Sequence, residues 1–197
     1  MFLPGSFSHS VLPMKLYAIR HTSVDVKPGI CYGQSDVDVA ESFHRERTAV
    51  KVELSGLHFD KIVSSPLQRC RKLAEYLFPA QNILFEERIK ELDFGDWELK
   101  SWDDIYNSEK GKNWMDNYQS LPTLNGEAYP QMQDRIAAWL QELNESGTEA
   151  VAVITHAGVI RIIKHLAEGQ PMSGLFAEFK PPYGSVTIFD FKKNNEK

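Results

Sequence analysis

Residues 151–155 read Val-Ala-Val-Ile-Thr, an apolar run broken off by His156-Ala157-Gly158. A strand with one wet face would alternate polar and apolar residues. A continuous run must be covered on both sides, as in a parallel strand between layers. Two other runs behave in the same way. Lys15-Leu16-Tyr17-Ala18-Ile19 stops at Arg20-His21-Thr22, and Lys61-Ile62-Val63 stops at Ser64-Ser65-Pro66. Residues 83–85 and 186–191 add two further strands.

Helical patterns separate these strands. Residues 39–54 read as a charged surface helix closed by Ser55-Gly56. Ser65-Pro66 opens a helix with Leu67, Cys70, Leu73, Ala74, Leu77 and Phe78 on one face, the serine hydroxyl serving as its cap. Pro130 opens a long helix with Met132, Ile136, Trp139, Leu140 and Leu143 at helical spacing, and residues 159–167 form another. Strands alternating with helices predict a three-layer α/β fold: a mostly parallel central sheet with helices on both faces. Residues 91–125 differ in texture, with eight acidic and three basic residues and three of the four tryptophans. They read as a small insertion of loop and short helix covering one end of a single domain that spans residues 15–197. Residues 1–14 read as an irregular extension without the basic start of an export signal, with Met14 as an alternative start.

Composition narrows the partners. A net charge of −5 is the wrong sign for a nucleic-acid partner. No apolar run approaches the roughly 18 residues needed to span a bilayer, so no membrane is expected. Cys31 and Cys70 are too few for a disulfide framework and read as reduced thiols in a cytoplasmic protein. Association as a monomer or a homodimer is equally compatible with these features.

If the strands are parallel, their carboxyl ends share one edge of the sheet, where open α/β folds place ligands. Arg20 and His21, Arg69, and His156 would then converge there, beside two helix N-termini that favour an anion. Paired guanidinium groups suit a phosphoryl group and the charge that develops on its oxygens. A neutral imidazole is a competent nucleophile at phosphorus. Metal binding competes for the histidines, but Arg20 would repel a divalent cation and neither histidine has a ligand spacing such as H-E-x-x-H. We therefore expect no metal and no cofactor. Asp36-Val37-Asp38 loosely matches the D-x-D-x-T of aspartyl-phosphate enzymes but lacks the threonine and the preceding strand. A cysteine phosphatase needs arginine six residues after the thiol, where this chain has Val37 and Tyr76.

Four segments, in order, resemble the motifs of the histidine phosphatase superfamily. These are Leu16-Tyr17-Ala18-Ile19-Arg20-His21-Thr22, Ser64-Ser65-Pro66-Leu67-Gln68-Arg69, Glu91-Leu92-Asp93-Phe94-Gly95-Asp96-Trp97-Glu98 and Ile154-Thr155-His156-Ala157-Gly158-Val159-Ile160-Arg161. The resemblance implies a cofactor-free cytoplasmic enzyme that forms a phosphohistidine on His21. It also implies Glu91 as proton donor and Arg20, Arg69 and His156 as phosphate ligands. Cys31-Tyr32-Gly33-Gln34-Ser35-Asp36-Val37 together with the third motif is similar to the α-ribazole-5′-phosphate phosphatases of cobalamin biosynthesis. That likeness implies a small phosphomonoester substrate carrying a benzimidazole, which Trp97, Trp102, Tyr106 and Trp114 could stack. The alternatives are a broad sugar-phosphate phosphatase, a phosphoglycerate-mutase-like enzyme, and a phosphate-binding regulatory module without turnover. The chain departs from the family's pattern at Thr22 and Leu99, where glycine is usual, at Val24 and Lys27 in place of Thr and Asn, and at Ala128 in place of serine.

Overall fold

A computed structural model describes residues 13–172 and 178–191. Most of the extension expected over residues 1–14 lies outside them. Met14, counted in that extension, instead opens the first strand and is buried.

Five strands form one sheet: β1 (Met14–Arg20), β2 (Lys61–Ser64), β3 (Ile83–Phe85), β4 (Ala150–Thr155) and β5 (Val186–Phe191), in the order β3-β2-β4-β1-β5. The first four are mutually parallel, and β5 runs antiparallel along β1. Because successive side chains of a strand point to opposite faces, each central strand feeds two cores. Ile19, Ile62, Ala152 and Ile154 pack under α1 (Phe43–Glu53) and α2 (Gln68–Leu77). Leu16, Ala18, Val63, Val151 and Val153 pack under α5 (Tyr129–Glu145) and α6 (Ala157–Glu168). The architecture is thus the α/β sandwich that the apolar runs require. No helix among the described residues is long and apolar enough to cross a membrane.

Two helices start later than the sequence reading places them, each for a tertiary reason. Val39 bridges to Val24, so α1 begins four residues later, at Phe43. Helix α2 begins at Gln68 with Leu67 extended, and its first amide is met by Asp36 Oδ1 at 2.6 Å rather than by a Ser65 cap. Asp38 pairs with Lys72 of the same helix. The D-x-D segment is therefore a docking strap for α2.

Residues 91–125 contain a single helical turn (Gly95–Trp97), α3 (Trp102–Asn107) and α4 (Glu109–Asn117), and add no strand to the sheet. Trp97 and Trp114 stack edge-on at 5.4 Å, and Phe94 meets Trp102 in the same manner. Leu99 adopts φ +62°, a conformation that costs a branched residue about 1 kcal/mol or more. Its backbone keeps the left-handed turn that explains a glycine there, and its N–H donates to the carbonyl of Cys31 at 2.8 Å.

Candidate active site

His21 follows β1 directly, and its backbone is pinned on both sides. Its N–H donates to Thr155 O of β4 at 2.9 Å, and its carbonyl accepts from Gly184 N at 3.2 Å. The side chain is almost fully buried. Imidazole Nδ1 lies 2.7 Å from the carbonyl of Thr22. A carbonyl only accepts, so Nδ1 carries the proton and Nε2 keeps its lone pair in the neutral ring. Burial, then the Arg69 charge, hold the His21 pKa well below 6.5, outweighing the Thr22 contact that acts to raise it.

His156 ends β4 at the mouth of α6, fully buried, its ring edge-on to His21 at 5.2 Å between centroids. Its Nε2 is 2.8 Å from Ser65 Oγ, which also accepts from Leu67 N at 3.4 Å, ahead of the helix. Its pKa is also driven well below 6.5, by burial and then by Arg69.

The two arginines are held by backbone rather than by carboxylates. Arg69, in the first turn of α2, is completely buried and donates from Nη2 to Gly33 O at 2.5 Å and from Nη1 to Ser35 O at 2.9 Å. Arg20 donates from Nη1 to Pro181 O at 2.7 Å. Among the described residues neither forms an ion pair, and the Nε of each is buried without a hydrogen-bond partner. Two tyrosines cover them. Tyr183 lies 3.8 Å under the Arg20 guanidinium and Tyr32 5.4 Å from that of Arg69, and their hydroxyls meet at 2.7 Å. Burial, then the Tyr183 contact, raise the Tyr32 pKa, so its phenol stays protonated.

Glu91 faces the N-terminus of α6. Its Oε2 accepts from Gly158 N at 3.0 Å and its Oε1 from Leu92 N at 3.0 Å. Glycine at 158 is what lets the carboxylate sit this close, since a Cβ there would stand 2.1 Å from Oε1. The Glu91 backbone is fixed from behind by Arg135 of α5. That guanidinium donates to the carbonyls of Arg88, Lys90 and Glu91 at 2.6, 2.8 and 3.0 Å while Glu127 grips it at 2.7 Å.

Arg20, His21, Arg69 and Glu91 line one cleft of about 320 Å³ together with Phe94, Trp102, Trp114, Tyr118, Tyr129 and Arg161. Of the four aromatic residues singled out for stacking, Trp102 and Trp114 line this cleft. Trp97 is buried in the core, and Tyr106 is 58 % exposed and lines no part of the cleft. Among the described residues, no three His, Cys, Asp or Glu side chains are placed to hold a metal ion. Both cysteines are free and buried, and burial pushes the Cys70 thiol up to about 12, unsuited to nucleophilic attack near neutral pH.

Residues 16–197 match the profile of the histidine phosphatase superfamily, branch 1. The chain belongs to that superfamily. Among the relatives of this histidine-phosphatase chain is phosphoserine phosphatase 1 of Hydrogenobacter thermophilus, 27 % identical over 75 % of this chain and 73 % of that protein. The adenosylcobalamin/α-ribazole phosphatase of Escherichia coli K12 is 22 % identical over 91 % of each chain. The crystal structure of the α-ribazole phosphatase from Shigella flexneri superposes with a TM-score of 0.83 at 20 % identity, covering 91 % of this chain and 95 % of that one. At that identity the likeness speaks for the shared fold of the superfamily.

Sequence reasoning passed over Tyr32, Tyr183, Ser65, Arg135 and Glu127 as parts of this site. The signal for Tyr183 was present in Pro181-Pro182-Tyr183-Gly184, a rigid turn feeding β5. Nothing local marks Arg135, which looks like one more charge on an amphipathic helix.

Proposed function

We propose that this chain is a cytoplasmic phosphomonoesterase that works through a phosphohistidine on His21, with α-ribazole 5′-phosphate, or the cobamide that carries it, as substrate. The observation that carries the reaction is a pair of guanidinium groups, one fully buried, with no carboxylate partner among the described residues, beside a neutral imidazole. Buried cations without counter-ions call for an anionic ligand. Arg20, Arg69 and His156 hold the phosphoryl oxygens. Nε2 of His21 attacks phosphorus as the P–O bond to the leaving alcohol breaks, and Glu91 supplies the proton the departing oxygen needs. Water then attacks the phosphohistidine, passes a proton to Glu91, and releases phosphate and free His21.

The aromatic residues lining the cleft support a planar, largely apolar leaving group, in keeping with the α-ribazole phosphatase relatives. Arg161 in the same cleft favours a second reading, a leaving group with a carboxylate, as in phosphoserine. Rapid acid quench with labelled p-nitrophenyl phosphate tests the reaction. An acid-labile, base-stable adduct on His21 is expected, absent in His21→Ala, and turnover with no adduct would overturn the assignment. Initial rates on α-ribazole 5′-phosphate and phosphoserine, measured side by side, separate the two substrate readings.

A further inference from the structure

We infer that Glu98, which lies outside the cleft, is a positioning residue for Arg69 and acts through the Gly33–Gln34 peptide group. The inference rests on the reading of Arg69 as a phosphate ligand. Glu98 is half-buried, and among the described residues no lysine, arginine or histidine pairs with it. Its carboxylate instead collects N–H groups from a loop far back in the chain. Oε2 accepts from Gly33 N at 2.9 Å, from Ser35 N at 3.1 Å and from Ser35 Oγ at 2.6 Å. Oε1 accepts from Gln34 N at 2.9 Å and from Phe94 N at 3.1 Å. Burial pushes the Glu98 pKa up, but these contacts outweigh it and hold the carboxyl below its usual range.

The geometry of a trans peptide does the rest. Its N–H and C=O point in opposite directions, so fixing one aims the other. The N–H of Gln34 belongs to the same plane as the carbonyl of Gly33, which accepts from Arg69 Nη2. One rigid plane therefore carries an anion at its N–H end and a cation at its C=O end. Each charge polarises the peptide in the sense that strengthens the other's hydrogen bond. Arg69 spends one N–H of each Nη group on this loop, at Gly33 and Ser35, so the loop's orientation sets where its three remaining N–H bonds point. The loop has no slack, since a Cβ on Gly33 would stand 1.9 Å from Leu92 O. Gln34 Nε2 also donates to Glu91 O at 3.1 Å. Glu98 thus fixes a loop that touches both the buried cation and the backbone of Glu91.

The test reads phosphate-site affinity, with orthovanadate as a competitive inhibitor of p-nitrophenyl phosphate hydrolysis. Glu98→Gln is expected to weaken vanadate binding by roughly 10-fold, the scale of one hydrogen bond to a charged group. It should also raise KM and lower kcat while retaining its circular dichroism. Asp96→Asn, a carboxylate of the same segment bonded to Asn125, should bind vanadate as the wild type does. In an Arg69→Lys background the effect of Glu98→Gln should largely vanish, because the group being positioned is gone. A folded Glu98→Gln protein with wild-type vanadate affinity overturns the inference, as do losses that multiply undiminished in the Arg69→Lys background. If Glu98→Gln does not fold, Ser35→Ala decides. It removes one donor to Glu98 and leaves the backbone, with roughly 3-fold weaker vanadate binding expected and no change counting against the proposal. A wild-type protein that neither binds vanadate nor turns over the substrate would instead refute the phosphatase reading beneath it.

Discussion

Replacing Gly158 with alanine separates catalysis from stability. The added Cβ would stand 2.1 Å from Oε1 of Glu91, 3.0 Å from its Cδ and 3.3 Å from Oε2. Non-bonded carbon and oxygen need more than 3 Å, so the carboxyl must retreat by about 1 Å, a displacement that can cost on the order of 100-fold in rate. That factor corresponds to about 2.7 kcal/mol of transition-state stabilisation. The group that yields is the far end of a flexible side chain, so little strain is passed to the fold. Within α6 alanine is a better helix former than glycine by up to about 1 kcal/mol, which works against any loss of stability. We expect kcat for an alkyl phosphate to fall by about two orders of magnitude. Hydrolysis of p-nitrophenyl phosphate, whose leaving group departs without a proton, should fall far less, and Tm should not drop. The assay is parallel steady-state kinetics on the two substrates with a thermal melt of each protein. Equal fractional losses on both substrates, or an alkyl phosphatase rate equal to wild type, would refute the placement of Glu91 as proton donor.

Two further outcomes follow from the site's electrostatics. His21 and His156 are buried with pKa values well below 6.5, whereas both titrate near 6.5 once unfolded. Below that pH the unfolded chain binds protons that the folded one does not. Stability should therefore fall as pH drops from about 6.5, by up to about 2.7 kcal/mol per pH unit while both imidazoles resist protonation. Urea midpoints between pH 7 and 5 measure it, and His156→Asn should reduce the slope, an unchanged slope being the contrary result. Prolonged treatment with a chelator should leave the phosphatase rate unchanged, whereas a rate that collapses and returns with magnesium or zinc would require metal-assisted hydrolysis instead.

The parts of this fold that are legible in sequence are those where burial alone decides. The run at residues 151–155 has no polar face to offer, so it must be a strand between layers, and β4 is that strand. The convergence of Arg20, His21, Arg69 and His156 follows from the parallel sheet, because strand ends then share an edge. What the sequence conceals is hydrogen bonding across long separations. Ser65 looks like a helix cap and is the partner of His156, while Asp36 looks like a loop residue and caps α2. Glu98 looks like one carboxylate among eight in residues 91–125 and is the anchor of the loop at 33–35. The antiparallel course of β5 is equally hidden, since its residues are compatible with either direction.

The sheet order also sets when the site can exist during folding. β1 emerges first yet lies between β4 and β5, and Arg20 hydrogen-bonds a carbonyl 161 positions away. Pairings of such separation close slowly, because the entropy of a long loop must be lost before any contact compensates it. Until both late strands have docked, β1 presents two open edges bearing Leu16, Ala18 and Ile19. Such edges invite pairing with other chains. The segment that delivers His21 is thus the one that waits longest for its partners, and shielding it during synthesis should govern the yield of active protein.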